Sequence, residues 1–219
     1  MLGNVFSVVL FSVIAQRLYQ DKLSFVAFDT RIQNLLTKSP FVDTLVLGIN
    51  QIFNFWWIGI IGLVIIIYLY RNKLIYHLTV FASSMLSAGV AFPIIKMLIQ
   101  RARPGTSLIL LKDYSFPSGH ATVSLVVCLL CRYVLQGQIK RPWVRYSFLV
   151  LMIILAAGIG TSRIFLYVHR FTDVIAGFLL GFFILTTNIL VWKIFFNIHI
   201  EQRKVININS KKSLIDALL

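Results

Sequence analysis

The chain has 219 residues, of which 58% are apolar or aromatic and 13% charged, about half the roughly 25% charged share of a soluble domain. That composition excludes an ordinary soluble protein, and six bilayer-spanning helices of about 20 residues each leave no room for a second globular domain. Lys and Arg number 21 against 7 Asp and Glu, a net charge of +14, which in a soluble chain would suggest nucleic acid as a partner. In a chain this apolar the basic excess points instead to cytoplasmic loops and anionic lipid, and nucleic acid is not expected.

The first apolar stretch covers residues 2–18. It lacks the basic leading region of a signal peptide, although Val13-Ile14-Ala15 loosely resembles a cleavage site, and it reads as a retained anchor. Residues 20–52 mix Asp21, Asp29, Arg31, Lys38 and Asp43 with Leu35, Leu36, Phe41, Val42 and Leu45 at helical spacing. That pattern predicts amphipathic helix at the membrane interface. Five long stretches poor in charge follow, at 53–70, 74–95, 119–135 (with Arg132 near its end), 143–161 and 174–192, each fit to span a bilayer. The fold class expected is therefore all-α, a polytopic membrane bundle of six transmembrane helices. It forms one membrane domain over 1–198, followed by a loosely ordered basic tail over 199–219 held near anionic lipid.

Smaller features fit a membrane bundle. Cys128 and Cys131 sit three apart in an apolar run, which gives neither a disulfide framework nor a zinc cluster and reads as packing or lipid contact. Trp56, Trp57 and Trp143 read as interfacial or packing aromatics, and Trp192 marks the inner end of the last span. His77 and His199 carry no assigned role.

Orientation follows from the basic residues of the short loops. Arg71 and Lys73 lie in one turn, Arg132, Lys140, Arg141 and Arg145 in or beside another, and Lys193, Arg203, Lys204, Lys211 and Lys212 at the end of the chain. With only Glu201 and Asp216 as acids there, these segments hold most of the positive excess, so both termini are expected in the cytoplasm. The loops at 96–118 and 162–173 fall on the opposite side, yet they too are basic, with Lys96, Arg101, Arg103, Lys112, Arg163 and Arg170. Such a departure from the positive-inside rule calls for a chemical reason.

Three segments place ionisable groups at span ends, where they are costly and usually functional. In the first, Lys96 and Arg103 are seven residues apart, two helical turns, and share a face if the helix continues. Pro104 then limits it. Read alone, this is equally a snorkelling edge cluster. In the second, Pro117-Ser118-Gly119-His120 precedes an apolar run and looks like a helix start, whose free N–H groups and dipole suit an anion. Gly119 would let a phosphoryl oxygen approach the backbone, and His120 would point at the same spot. The alternative is an N-cap with an incidental histidine. In the third, Ser162-Arg163 is followed by His169 and Asp173, the last two at i and i+4. A carboxylate accepting from Nδ1–H would leave Nε2 as a nucleophile or base. A structural His–Asp pair and metal ligation by His120, His169 and Asp173 are the alternatives, though no other His or acid obviously completes a metal site. Asp113 and Tyr114, just before the second segment, are possible head-group contacts.

Together the segments fall on one expected side of the membrane. Their order and spacing, Lys-x6-Arg-Pro, Pro-Ser-Gly-His and Ser-Arg-x5-His-x3-Asp, closely resemble the signature of the type 2 phosphatidic acid phosphatase (PAP2) superfamily over about residues 50–195. The resemblance implies a membrane lipid phosphatase working without metal or other cofactor on a lipid phosphate or diphosphate. Undecaprenyl diphosphate, phosphatidylglycerophosphate, phosphatidic acid and a lipid A phosphate are the candidate substrates. It also implies His169 as the nucleophile that becomes a phosphohistidine, Asp173 as its orienting acid and His120 as the general acid. Phosphate binding falls to Lys96, Arg103, Ser118, Gly119 and Arg163. Partners are then the lipid phosphate and the bilayer, with oligomeric state left open. The place implied is a bacterial cytoplasmic (inner) membrane with the site on its extracytoplasmic face. One departure is Phe165-Leu166-Tyr167 where family members often have Tyr-Leu-Gly, which puts the pocket wall in question. A non-enzymatic lipid or anion transporter and a vanadate-dependent haloperoxidase-like enzyme are the rival readings of the same constellation.

Overall fold

The computed structural model describes the backbone of residues 2–20, 22–36, 39–105, 109, 111 and 113–216, and the side chains of these except 2, 20, 22–24, 55 and 199–216. Asp21, Lys38 and Lys112, which the sequence reading singles out, lie outside the described residues. The described side chains likewise exclude His199, Glu201, Arg203, Lys204, Lys211, Lys212 and Asp216. Every regular element among the described residues is helical. They run α1 (Leu2–Gln20), α2 (Lys22–Leu35), α3 (Pro40–Ile52), α4 (Phe55–Arg71), α5 (Ile75–Ile99), α6 (Gly119–Leu135), α7 (Pro142–Phe165) and α8 (Phe171–Asp216).

Local chemistry explains several boundaries. The Ser39 hydroxyl accepts from the Val42 N–H at 3.2 Å with Pro40 opening α3, and the Asn54 side-chain Oδ1 accepts from the Trp57 N–H at 3.1 Å to open α4. Gln100 ends α5 in the left-handed conformation. Four helical stretches are long and apolar enough to cross a bilayer, Pro40–Arg71, Ile75–Ile99, Pro142–Phe165 and Phe171–Ile198, and two shorter apolar ones, Gly3–Tyr19 and Gly119–Leu135, complete six. Trp56, Leu63, Val64, Leu86, Met97 and Ile154 all point outward, an apolar exterior suited to acyl chains. The protein is an integral membrane helix bundle. The end of the chain departs from expectation, since α8 continues as helix to Asp216 instead of loosening after residue 198.

Helix α6 is the centre. It packs on α5, α7 and α8, and Val126 and Leu130 sit fully buried against Phe81, Leu69 and Leu180. At 1.5 Å per residue its 17 residues span about 26 Å, just short of the hydrocarbon thickness. A short central helix sets its N-terminus inside the end of the bundle. Helix α8 can approach because it presents Gly177 and Gly181 to α6. A Cβ on Gly177 would lie 2.5 Å from the Ser118 carbonyl oxygen, and one on Gly181 would lie 2.7 Å from that of Thr122. The spacing is that of membrane helices in close contact. It brings the Ser118 N–H to the Asp173 carbonyl at 2.9 Å, joining the starts of α6 and α8 directly.

The stretch expected to lie at the interface is two helices, and it is not merely amphipathic. Asp29 of α2 is completely buried against the start of α8, and Val46 of α3 packs on Leu166 and Val168.

The close crossing yields a stability prediction. Gly181→Ala pushes a methyl into the α6 backbone and should destabilise the protein by about 1–3 kcal/mol. Gly158→Ala, whose added Cβ would meet nothing within 4 Å, should be neutral or stabilise by up to about 1 kcal/mol. Thermal unfolding in detergent checks both; equal effects would contradict the packing described.

Candidate active site

The three segments meet where the end of α5, the start of α6, the end of α7 and the loop before α8 come together. They enclose a cavity of about 140 Å³ whose wall includes Lys96, Arg103, Gly119, His120, Arg163 and His169. That volume is several times the roughly 30 Å³ share of one water. Two of the eight sequence-selected residues, Ser118 and Asp173, stand behind the wall. Both are fully buried and linked by the backbone hydrogen bond between the two helix starts.

The geometry differs from the simple helical expectation in two places. Helix α5 stops at Ile99, so Lys96 and Arg103 do not share a helical face. They are joined instead through Asp113, whose carboxylate accepts from Lys96 Nζ at 2.5 Å and from Arg103 Nη2 at 2.6 Å. Likewise His169 precedes α8 and is not on it, yet its Nδ1 lies 3.8 Å from Asp173 Oδ2. This is an ion-pair distance, longer than a hydrogen bond. Gly119 lines the cavity, and a Cβ there would meet the Phe92 ring at 2.8 Å, so the missing side chain makes room for that ring.

Arg103 ties the segments together. Its Nε donates to the Asp113 carbonyl at 2.9 Å, its Nη1 donates to the Val168 carbonyl at 2.5 Å, and Nη1 also sits 3.4 Å from His169 Nε2. A guanidinium has no acceptor to offer. The lone pair of Nε2 therefore faces Arg103, and the ring proton belongs on Nδ1 towards Asp173. Arg163 is buried, with Nη1 donating to Asn50 Oδ1 at 2.6 Å. Its Nε and Nη2, together with Ser118 Oγ and His169 Nδ1, are buried without a hydrogen-bond partner. Each such group costs about 1–3 kcal/mol when left unmade. An oxyanion in the cavity would accept from the guanidinium.

Electrostatics point the same way. Burial pushes the His169 imidazole below the ordinary histidine value, the Asp173 carboxylate pulls it up, and Arg103 and Lys96 push it down again, with a net fall. The ring is neutral at pH 7. Asp113 is the reverse case. Burial raises it, but the hydrogen bonds and charges of Lys96 and Arg103 more than offset that and hold it below the usual carboxylate range. Among the described residues no group of three or more His, Cys, Asp and Glu gathers as metal ligands would.

The sequence reading missed Asp29, Arg101, Thr172 and Asn50, and gave Asp113 only a head-group contact. Asp29 and Asp113 had one legible signal: acids are scarce in so basic a chain, so each buried cation must find one of few partners. The unusual Phe165-Leu166-Tyr167 has a local explanation. Tyr167 holds φ at 56°, the left-handed region where glycine is at ease. A tyrosine there costs roughly 1–2 kcal/mol, offset by burying its ring to 8% exposure. Val168 contributes to the described cavity wall beside His169.

Comparison with known proteins places this geometry. The family model described as the PAP2 superfamily matches residues 73–199. The chain belongs to the PAP2 superfamily. With the superfamily comes the reaction class, hydrolysis of a phosphoric ester by a membrane-embedded enzyme. The chain is 30% identical over 155 residues to a protein named phosphatidylglycerophosphatase B from Bacillus subtilis (strain 168), covering 67% of this chain and 73% of that one. It also superposes with a TM-score of 0.74, at 22% identity, on a solved structure described as the first transmembrane PAP2 type phosphatidylglycerolphosphate phosphatase from Bacillus subtilis. That match covers 90% of this chain and 97% of the other. The likeness to the solved structure establishes the PAP2 membrane fold.

Asp113 occupies the cations that a phosphate would use, so an anion entering the cavity must compete with it. Asp113→Asn should therefore lower the inhibition constant for inorganic phosphate by about fivefold, the equivalent of roughly 1 kcal/mol. A higher constant in the variant would show that Asp113 positions the cations without competing for them.

Proposed function

We propose that the protein is a metal-independent lipid phosphatase that works through a phosphohistidine on His169. The supporting observation is that two imidazoles and three cations share one cavity at one end of the bundle. Phosphoryl transfer spreads charge over three equatorial oxygens, and fixed cations stabilise that charge without reorganising. Lys96, Arg103 and Arg163 meet the demand. His169 Nε2 attacks phosphorus and forms the N–P bond as the P–O bond to the lipid breaks, with the electron pair leaving on oxygen. His120 protonates that oxygen. A water then attacks phosphorus, gives a proton to His120, and the N–P electron pair returns to Nε2. Asp173 holds the imidazole in the Nδ1–H tautomer and offsets the positive charge that His169 develops.

The substrate keeps its apolar chain in the bilayer and offers its phosphate sideways to the cavity. Among phosphatidylglycerophosphate, phosphatidic acid, undecaprenyl diphosphate and a lipid A phosphate, we place phosphatidylglycerophosphate first, because relatives on both comparisons carry that activity in their names. The cavity lies at the helix ends opposite Arg71, Lys73, Lys140, Arg141 and Arg145. By the positive-inside rule this supports an extracytoplasmic site in a bacterial cytoplasmic membrane with both termini inside.

The test is phosphate release by the purified protein in detergent, with EDTA present, across the four lipids. His169→Ala should lose at least about 10³-fold in kcat while still binding lipid, and wild type should yield an acid-labile phosphoenzyme. Because His169 reacts as the neutral ring, activity should fall as pH drops through its lowered pKa, placing the acid limb below about 6.5. An acid limb well above that value, or turnover surviving His169→Ala, would overturn the reading.

A further inference from the structure

Behind the cavity wall lies a buried cluster of charge of which the proposed chemistry uses only Asp173. Arg101 is 8% exposed and lies between two fully buried carboxylates from different helices. Its Nη2 donates to Asp29 Oδ2 of α2 at 2.6 Å, and its Nη1 pairs with Asp173 Oδ1 of α8 and donates to Thr172 Oγ1 at 2.8 Å. Thr172 closes the ring. Its N–H donates to Asp29 Oδ1 at 3.0 Å and its hydroxyl donates to Asp29 Oδ2 at 2.7 Å. The other oxygen of Asp173, Oδ2, accepts from the Arg170 N–H at 2.9 Å and faces His169 Nδ1.

Each oxygen of Asp173 therefore has a separate task, one held by Arg101 and the other turned to His169. Held at Oδ1 by Arg101 and at Oδ2 by the Arg170 N–H, the carboxylate is fixed, and with it the acceptor presented to the histidine. The charge also matters. Asp29, Arg101 and Asp173 together carry one net negative charge, enough to balance one imidazolium or the positive ring of a phosphohistidine. Were Arg101 or Asp29 neutral, that balance would change by one unit within a buried environment where charge is poorly screened.

We propose that Asp29 and Arg101 are positioning residues for the reaction, forming with Asp173 a buried carboxylate–guanidinium–carboxylate relay whose net charge sets how readily His169 takes a proton. The inference rests on the phosphohistidine reading above, because it assigns the relay's effect to His169. The other groups facing His169 and the relay are Lys96 from α5, Arg103 from the segment after it, His120 from α6, Arg163 from α7, Arg170 beside His169, whose guanidinium interacts with Arg101, Asp29 and Asp173, and, across Lys96 and Arg103, Asp113. Helix α3 packs against the same loop through apolar Val46. None of these changes in the variants below.

A brace that merely held α2 onto α8 would lose stability when altered, and every alteration would act in the same direction. A relay acting through charge gives opposite signs. Asp29→Asn keeps the shape and removes the outer negative charge, so Arg101 is less compensated and His169 is harder to protonate. The acid limb of kcat against pH should move down by about 0.5–1 unit. Arg101→Gln leaves two carboxylates, makes His169 easier to protonate and should move the limb up by a similar amount. Arg101→Lys keeps the charge and should leave the limb near its wild-type position, and the double variant Asp29→Asn with Arg101→Gln should return towards it. Thermal unfolding in the same detergent shows which variants fold, and either single variant suffices on its own sign. Opposite movements support the relay. Limbs that stay fixed, or move the same way, overturn it while leaving the phosphatase reading intact, provided wild type releases phosphate and His169→Ala does not. If wild type releases no phosphate from any of the lipids, both proposals fall together.

Discussion

The constraint on which the site depends is the confinement of like charges. Lys96, Arg103 and Arg163 converge at one end of an apolar bundle, where water is scarce and repulsion between cations is weakly screened. Such a cluster persists only with anions nearby or in prospect. Without ligand, Asp113 answers two of the three cations, while Arg163 is held at one nitrogen by Asn50 and keeps others unpartnered. With the site on the outer face, as proposed, an anion held by the same cluster accounts for loops that are basic against the positive-inside rule.

Bringing the segments together is a packing problem solved chiefly by α6 and α8. Close approach at Gly177 and Gly181 lets the two helix starts share a backbone hydrogen bond, so His120 and the His169–Asp173 pair arrive in one place by the same contact. Arg103 then closes the arrangement from the third side through Asp113, Val168 and His169. Removing one partner of a buried ion pair typically costs about 3–5 kcal/mol. Arg101, between Asp29 and Asp173, thus binds α2 and the end of α5 to the start of α8 as firmly as apolar contact does elsewhere. The packing of α2 against the start of α8 and the carboxylate beside His169 share those same side chains.

How much of this the sequence revealed depended on the range of the interactions. The spans were legible because a bilayer demands long uncharged runs, and those runs match α4 to α7 to within a few residues, whereas α8 continues well past its apolar run to Asp216. His120, His169, Lys96, Arg103 and Arg163 were legible because each sits in a compact motif with its own spacing. Asp29, Arg101 and Asn50 belong to no compact motif, since their partners lie 71 to 143 positions away. Asp29 even looked like the polar face of an interfacial helix, and only the packing of α2 on α8 turns that face inward. Tyr167 shows the opposite case. An odd residue within a motif suggested an altered pocket, whereas the structure gives it a backbone role, a left-handed turn that a buried aromatic ring makes tolerable.

The measurement that tests the central claim most directly is a crystal structure of the detergent-solubilised protein soaked with orthovanadate, a mimic of the pentacoordinate phosphoryl transition state. The account predicts vanadium bonded to His169 Nε2, its equatorial oxygens within hydrogen-bond reach of Lys96, Arg103 and Arg163, and His120 at the apical oxygen. Vanadate seated away from His169, or His120 and His169 turned into separate cavities, would contradict it.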